Sequence, residues 1–330
     1  MVSKTVSSQA MIRSLFGIGE VVSPYLAGRA AFELFCRTSD PNKLSQKERN
    51  ALEKVRVFME TAELQFLPGR GGQAVAAHVF NFGNPDEKAP TALVVHGWHS
   101  RAEHMAKVIA ALMRKGLRVV AIDLPGHGQS AGRRLTMAHA VEAVHAAEAR
   151  FGAFEAIAGH SFGGAVAVNA AVGSIAGIAP VKTKRLVLIS APSSMPFYFD
   201  QMCEWLGVGP RSKAVGVAQV KRIAGHPFSE YVGAQQLAVH PIPTLVIHAP
   251  DDKEVSASQA SDYDTAGDHV RLSWAPGLGH RRILADANVL AQVSAYAAGE
   301  ERVSVIATGN PDKSHSTAAL PPRRELGYGS

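Results

Sequence analysis

Ala156-Ile157-Ala158-Gly159-His160-Ser161-Phe162-Gly163-Gly164-Ala165-Val166-Ala167-Val168-Asn169-Ala170 passes from an apolar strand pattern through a glycine-rich turn into a small-residue helix. The turn holds Gly-x-Ser-x-Gly, with Ser161 at its centre. A side chain displayed on so sharp a turn leaves no room for Cβ atoms two residues away, and Gly159 and Gly163 have none. The helix that follows aims its N-terminus, with partial positive charge, at the serine, where it would steady a developing oxyanion. The motif alone is weak evidence. Strand, turn and helix around it make it a strong sign of a nucleophile.

Working outward, short apolar runs predict strands over 63–67, 75–80, 93–95, 119–122, 156–158, 186–189, 245–248 and 270–273. Helical patterns fall between the later ones, over 102–115, 137–150, 164–173 and 283–297. Apolar strands separated by helices imply a mostly parallel sheet covered on both faces. The first two strands have only turn residues between them and should pair as an antiparallel edge hairpin, with a turn over Asn81–Pro85 leading out of the second.

A serine hydroxyl needs a base, and the base an orienting carboxylate. Ala249-Pro250-Asp251-Asp252 follows the strand ending at His248, and Gly277-Leu278-Gly279-His280 follows the last strand. Both stretches fall at the carboxyl edge of the sheet, the edge that carries Ser161, so the three side chains can converge.

With these residues, His96-Gly97-Trp98 and Asp123-Leu124-Pro125-Gly126-His127-Gly128-Gln129-Ser130, the stretch from about Glu60 to Gly299 resembles the α/β-hydrolases. The Gly-His-Ser-x-Gly-Gly form is similar to their monoacylglycerol-lipase and serine-aminopeptidase-like branch. The resemblance implies the α/β-hydrolase fold: an eight-stranded, mostly parallel sheet with helices on both faces and a short lid. It makes Ser161 the nucleophile, His280 the general base and Asp252 the acid. Asp251 stays open as the acid, because Ala249 stands where the family usually has glycine. The resemblance also assigns the oxyanion hole to the backbone N–H groups of Trp98 and Phe162, and gives Asp123 the task of fixing the loop after it. His96, His127 and His160 read first as turn and packing residues. The implied activity is hydrolysis of a small-molecule carboxylic ester through an acyl-enzyme. A thioesterase, amidase, carbon–carbon-bond hydrolase or acyltransferase would use the same residues, and a non-catalytic ligand-binding module is the alternative of another class. Serine at the turn excludes the aspartate-dependent dehalogenases and epoxide hydrolases of that fold.

Three regions are expected: an N-terminal helical arm over 1–59, the hydrolase domain over 60–299 and a flexible tail over 300–330. Residues 191–242 form an insert rich in apolar and aromatic side chains, Met195, Phe197, Tyr198, Phe199, Met202, Trp205 and Leu206 among them. Its place above the strand ends suits a lid, and helical core packing is the competing reading. In the arm, Ser45 and Glu48 have the spacing of a capping box. The arm is amphipathic, and packing against the main domain is preferred over lying on a membrane.

Composition narrows the rest. With 46% hydrophobic and 19% charged residues the chain can bury a large core, which excludes disorder as its main state. Cys36 and Cys203 form no Cys-x-x-Cys pair, so neither a disulfide scaffold nor a cysteine metal site is expected. No His spacing suggests a metal, and no Gly-x-x-x-x-Gly-Lys loop suggests a nucleotide, so no cofactor is expected. The net charge of +6 is spread along the chain without a basic block, which argues against nucleic acid. Neither a membrane span nor a signal peptide is evident, and the cytoplasm is the expected compartment.

Overall fold

The computed structural model describes residues 2–81 and 89–300; the expected tail and most of the turn over Asn81–Pro85 lie outside them. Eight strands form one sheet: β1 (Glu63–Pro68), β2 (Ala74–Phe80), β3 (Thr91–Val95), β4 (Arg118–Ile122), β5 (Ala156–His160), β6 (Leu186–Ile189), β7 (Thr244–His248) and β8 (Val270–Trp274). Their order is β1-β2-β4-β3-β5-β6-β7-β8. The first pair is antiparallel, as its short connection requires, and β2 is also antiparallel to β4. From β4 to β8 every pairing is parallel.

Alternate side chains of each strand feed opposite cores. In β3, Leu93 and Val95 face one hydrophobic core, and Ala92 and Val94 face the other. The first is covered by α6 (Met137–Phe151) and α7 (Phe162–Val172); the second by α5 (Ala106–Arg114) and α13 (Ala287–Ala297). The remaining helices of the sheet layers are α10 (Gly233–Val239), α11 (Ala257–Asp264) and the single turn α12 (Gly279–Arg282). The last helix is shorter than its pattern. Asp286 has extended backbone and accepts hydrogen bonds from the N–H groups of Asn288 and Val289, so it caps a helix that starts at Ala287 and leaves 283–285 as a 3₁₀ turn.

A helical layer lies above the carboxyl edge. The N-terminal segment supplies α1 (Val2–Val22), α2 (Pro24–Cys36) and α3 (Gln46–Glu53) to it, while α4 (Arg56–Met59) lies at the other end of the sheet, where Phe58 stacks on Phe80. Ser45 and Glu48 do form a capping box, at the start of α3. The insert supplies α8 (Met195–Leu206) and α9 (Pro210–Ala224). Its roots are tied together: Met195 N donates to Tyr231 O, and Gly233 N to Ser193 O. Phe199, Phe228, Tyr231 and Leu237 are buried in the main core, so the insert is partly core packing.

The arm packs mainly on this insert. Gly28 touches α9 so closely that a Cβ there would collide with Ser212 and Val215. Glu20 accepts hydrogen bonds from Arg211 N, Ser212 N and Ser212 Oγ, which caps the N-terminus of α9. Arg13 donates to the carbonyls of Glu204 and Trp205 at the C-terminal end of α8. The helices α1 and α2 and the insert are therefore one layer.

Candidate active site

Ser161 stands between β5 and α7 with φ 53° and ψ −128°, backbone that residues other than glycine seldom adopt. Its surroundings enforce that shape. A Cβ on Gly159 would overlap the backbone of Gly163, and one on Gly163 would overlap the carbonyl oxygens of Val95 and His96. Ser161 N donates to Ile189 O at 2.9 Å, which anchors the turn to the next strand. The Ser161 side chain makes no capping bond to the helix it begins.

The loop after β3 runs directly beside the serine, for a Cβ on Gly97 would come within 2.8 Å of Ser161 Cβ. The Trp98 ring meets the Phe162 ring edge-on at 5.2 Å. Among the described residues no acceptor takes the backbone N–H of Trp98 or Phe162, so two donors flank Ser161 unspent.

Asp252 Oδ2 lies 2.7 Å from His280 Nδ1, which donates to it. Asp252 Oδ1 accepts from Glu254 N at 2.8 Å and Val255 N at 2.9 Å. Burial by itself would raise this carboxyl, but the His280 hydrogen bond and charge, together with the two N–H groups, hold it below the usual aspartate value. Asp251 points elsewhere: its Oδ1 accepts from Gly277 N at 2.8 Å, bracing the loop that carries His280. Of the two aspartates, Asp252 is the one joined to the histidine. No hydrogen bond links Ser161 Oγ to His280 in the structure as it stands; His280 Nε2 is 3.7 Å from Glu254 Oε2, whose other oxygen accepts from Arg281.

His160 does more than pack in the turn. Its Nε2 donates to the backbone carbonyl of His280 at 2.9 Å, and the two rings lie 4.7 Å apart. Burial, then the nearby charge of His280, press the His160 imidazole down to about 3, so it stays neutral and keeps one fixed donor. The residue preceding the serine thus holds the loop of the histidine. Nothing in the local pattern signals this, because the two are 120 residues apart.

His96, His127 and His99 brace the loop of Trp98. His96 Nδ1 donates to Gly97 O, and its Nε2 accepts from Leu124 N. His127 Nε2 accepts from His99 N, and its Nδ1 donates to Pro125 O. Burial lowers all three below the usual histidine value, His127 to about 3. Asp123 does tie its loop by backbone hydrogen bonds, accepting from Ala102 N and Gln129 N as well as from His78 Nε2.

Two arm residues reach this region unannounced by the sequence pattern. Phe35 stacks against Trp98 at 6.5 Å and meets Phe199 of α8 edge-on at 5.2 Å, while Ser39 Oγ is 2.9 Å from His99 Nδ1. The donor atoms of His78, Glu103 and Asp123 lie within 4.8 Å of one another, a spacing open to a metal. They are already engaged, with both Glu103 oxygens on Arg101 and the Asp123 oxygens on His78 and the two N–H groups. The set suits a structural network better than a cation.

A mostly parallel sheet with a strained serine on the turn after β5 and a histidine–carboxylate pair at the same edge defines the α/β-hydrolase class of architecture. Residues 92–293 match the alpha/beta hydrolase family, and the chain belongs to it. A comparison with curated proteins returns no match. Solved structures with the same fold include the esterase RhEst1 from Rhodococcus sp. ECU1013, at 18% identity and TM-score 0.52, with 72% of this chain and 98% of that one covered. Carboxylesterase CesB from Bacillus subtilis aligns at 18% identity and TM-score 0.53 over 74% of this chain and 95% of its own. A 2-hydroxy-6-oxo-6-phenylhexa-2,4-dienoate hydrolase from Rhodococcus sp. strain RHA1 aligns at 20% and 0.51, over 72% and 99%. Among the described residues no helix is long and apolar enough to cross a membrane.

Proposed function

We propose that the protein is a serine hydrolase that cleaves a carboxylic ester through Ser161, His280 and Asp252. The observation that carries this reading is the strained Ser161 turn with two unspent N–H donors beside it, on the sheet edge where His280 is oriented by Asp252. Ser161 Oγ attacks the acyl carbon, and its proton passes to His280 Nε2. The N–H groups of Trp98 and Phe162 receive the negative charge that develops on the carbonyl oxygen. His280 then protonates the leaving alcohol, and an acyl-enzyme remains. Water, deprotonated by His280, attacks that ester, and the returning proton restores Ser161 as the acid departs. Asp252 holds the tautomer with the proton on Nδ1 and balances the imidazolium charge. The hydrogen bond between serine and histidine forms as substrate settles, a tightening common in hydrolases whose empty sites are loose.

No step calls for a cofactor. In this reading the helical layer of α8 and α9, with Phe35 of the arm, is the lid that shields the acyl-enzyme. Cys36 and Cys203 are buried thiols, raised by burial to about 12 and 11; a chain with two isolated cysteines fits a reducing compartment, and in this reading it is the cytoplasm.

The test is hydrolysis of p-nitrophenyl esters from acetate to palmitate, with Ser161→Ala measured beside the parent and a fluorophosphonate probe as a second readout. Turnover and labelling should both vanish in the variant. Turnover surviving that substitution removes Ser161 as the nucleophile, and a folded parent inert to every ester and to the probe favours the binding-module reading.

A further inference from the structure

The helix α1 carries two apolar faces. One face is used: Phe16 is buried and Ile12 half-buried against Leu206, Met202 and Val208. A neighbouring face presents Met11, Leu15, Ile18 and Val22, spaced by four, three and four residues, which is one stripe along a helix. Together with Val21 these side chains are 61–77% exposed. The stripe continues over Tyr25 and Leu26 at the start of α2, both also exposed. An apolar stripe on a helix is ordinarily buried against another surface, and among the described residues nothing covers this one.

Charge indicates what that surface is. Across α1, α2, α8 and α9 the sequence places seven Lys and Arg against four Asp and Glu. Three of the four acids are engaged: Glu20 by the N-terminus of α9, Glu33 by Arg134 and Asp200 by Lys213. Arg29, Arg211, Lys221 and Arg222 remain exposed, and the Arg29 guanidinium lies over the Tyr25 ring at 5.7 Å. An apolar stripe with a basic rim complements a bilayer carrying anionic headgroups, into which such a helix sinks about 5–10 Å. A second copy docked on the same face would set like charges against like. The stripe is also too short of charge to favour an acidic protein partner at its centre.

We infer that the outer face of α1 and the start of α2 dock the protein on an anionic lipid surface, with the exposed cations of α2 and α9 at the rim. The bilayer then lies on the outer side of the helical layer whose Phe35 reaches Trp98. The inference rests on the surface alone and stands whatever Ser161 does.

Co-sedimentation of the full chain with phosphatidylcholine vesicles, with and without about a third phosphatidylglycerol, tests it. The parent should pellet with the anionic vesicles at least tenfold more strongly than with the neutral ones, and less so as salt rises. Leu15→Glu with Ile18→Glu should lower the partition at least tenfold with thermal unfolding unchanged, because both positions are exposed. Lys221→Glu with Arg222→Glu should reduce the anionic preference and leave the residual neutral binding. A parent that stays in the supernatant with both vesicles overturns the inference. So does a parent dimer that the Leu15 and Ile18 substitutions convert to monomer, which would make a second copy the occupant.

Discussion

Two carboxylate–histidine pairs sit at the carboxyl edge of the sheet, one after β4 and one after β7, and they are built for different ends. Asp123 is fully enclosed, receives two backbone N–H groups and the His78 ring, and lies in a hydrogen-bonded network with no atom left for a ligand. His96 beside it spends both nitrogens on backbone. Asp252 also receives two backbone N–H groups, but its histidine keeps Nε2 clear of any hydrogen bond among the described residues. The first pair locks loops; the second leaves one nitrogen able to carry a proton. What separates the two settings is how the histidines are engaged: His96, 3.9 Å from Asp123, spends both nitrogens on backbone, whereas His280 gives Nδ1 to Asp252 and keeps Nε2 free of a hydrogen bond among the described residues.

Asp252→Asn should break that contrast hardest. The amide can no longer hold the Nδ1–H tautomer, and kcat should fall by about 10⁴ with the unfolding midpoint nearly unchanged. Parallel steady-state kinetics and thermal melts check this, and a variant within tenfold of the parent would return Asp251 to consideration. Asp123→Ala should do the reverse. It leaves buried donors without an acceptor, so a loss of about 3–5 kcal/mol in denaturant unfolding is expected, with the remaining folded enzyme retaining most of its kcat.

His160 sharpens the comparison, because it joins the serine turn to the reactive pair. His160→Leu should lower kcat about tenfold, near 1.4 kcal/mol, with KM little changed, and His160→Gln should recover most of it by restoring a donor to His280 O. Equal activity in both variants would reduce His160 to packing.

The smallest effect, per proton, concerns pH. His96, His127 and His160 have folded values depressed below the ordinary 6.5, the last two to about 3. The unfolded chain therefore takes up protons that the folded one refuses. Their contribution to stability is whole above the unfolded value, and is lost as pH falls from about 6.5 toward the folded ones. Unfolding free energy should drop by about 1.4 kcal/mol per pH unit for each such proton, and denaturant melts between pH 6 and 5 should show a net uptake of at least two. Stability flat across that interval would mean that the rings protonate in place.

Much of this was legible in one dimension. Strand positions follow from apolar runs, and the serine turn follows from glycines whose absent Cβ atoms the backbone requires, as Gly159 and Gly163 confirm. The capping box at Ser45 and Glu48 is equally local. The resemblance favours Asp252 over Asp251, but the residues alone leave both open, because neighbours in sequence point in different directions once the loop after β7 folds. The roles of Phe35 and Ser39 over the Trp98 loop were also hidden, since the arm meets that loop only after α2 has docked on α9. The elements and the strained serine turn can be read along the chain, because periodicity and steric exclusion act over a few residues. That Asp252 and not Asp251 meets His280, that His160 holds its loop, and that one face of α1 is uncovered among the described residues follow from packing between segments far apart in the chain, which no local pattern carries.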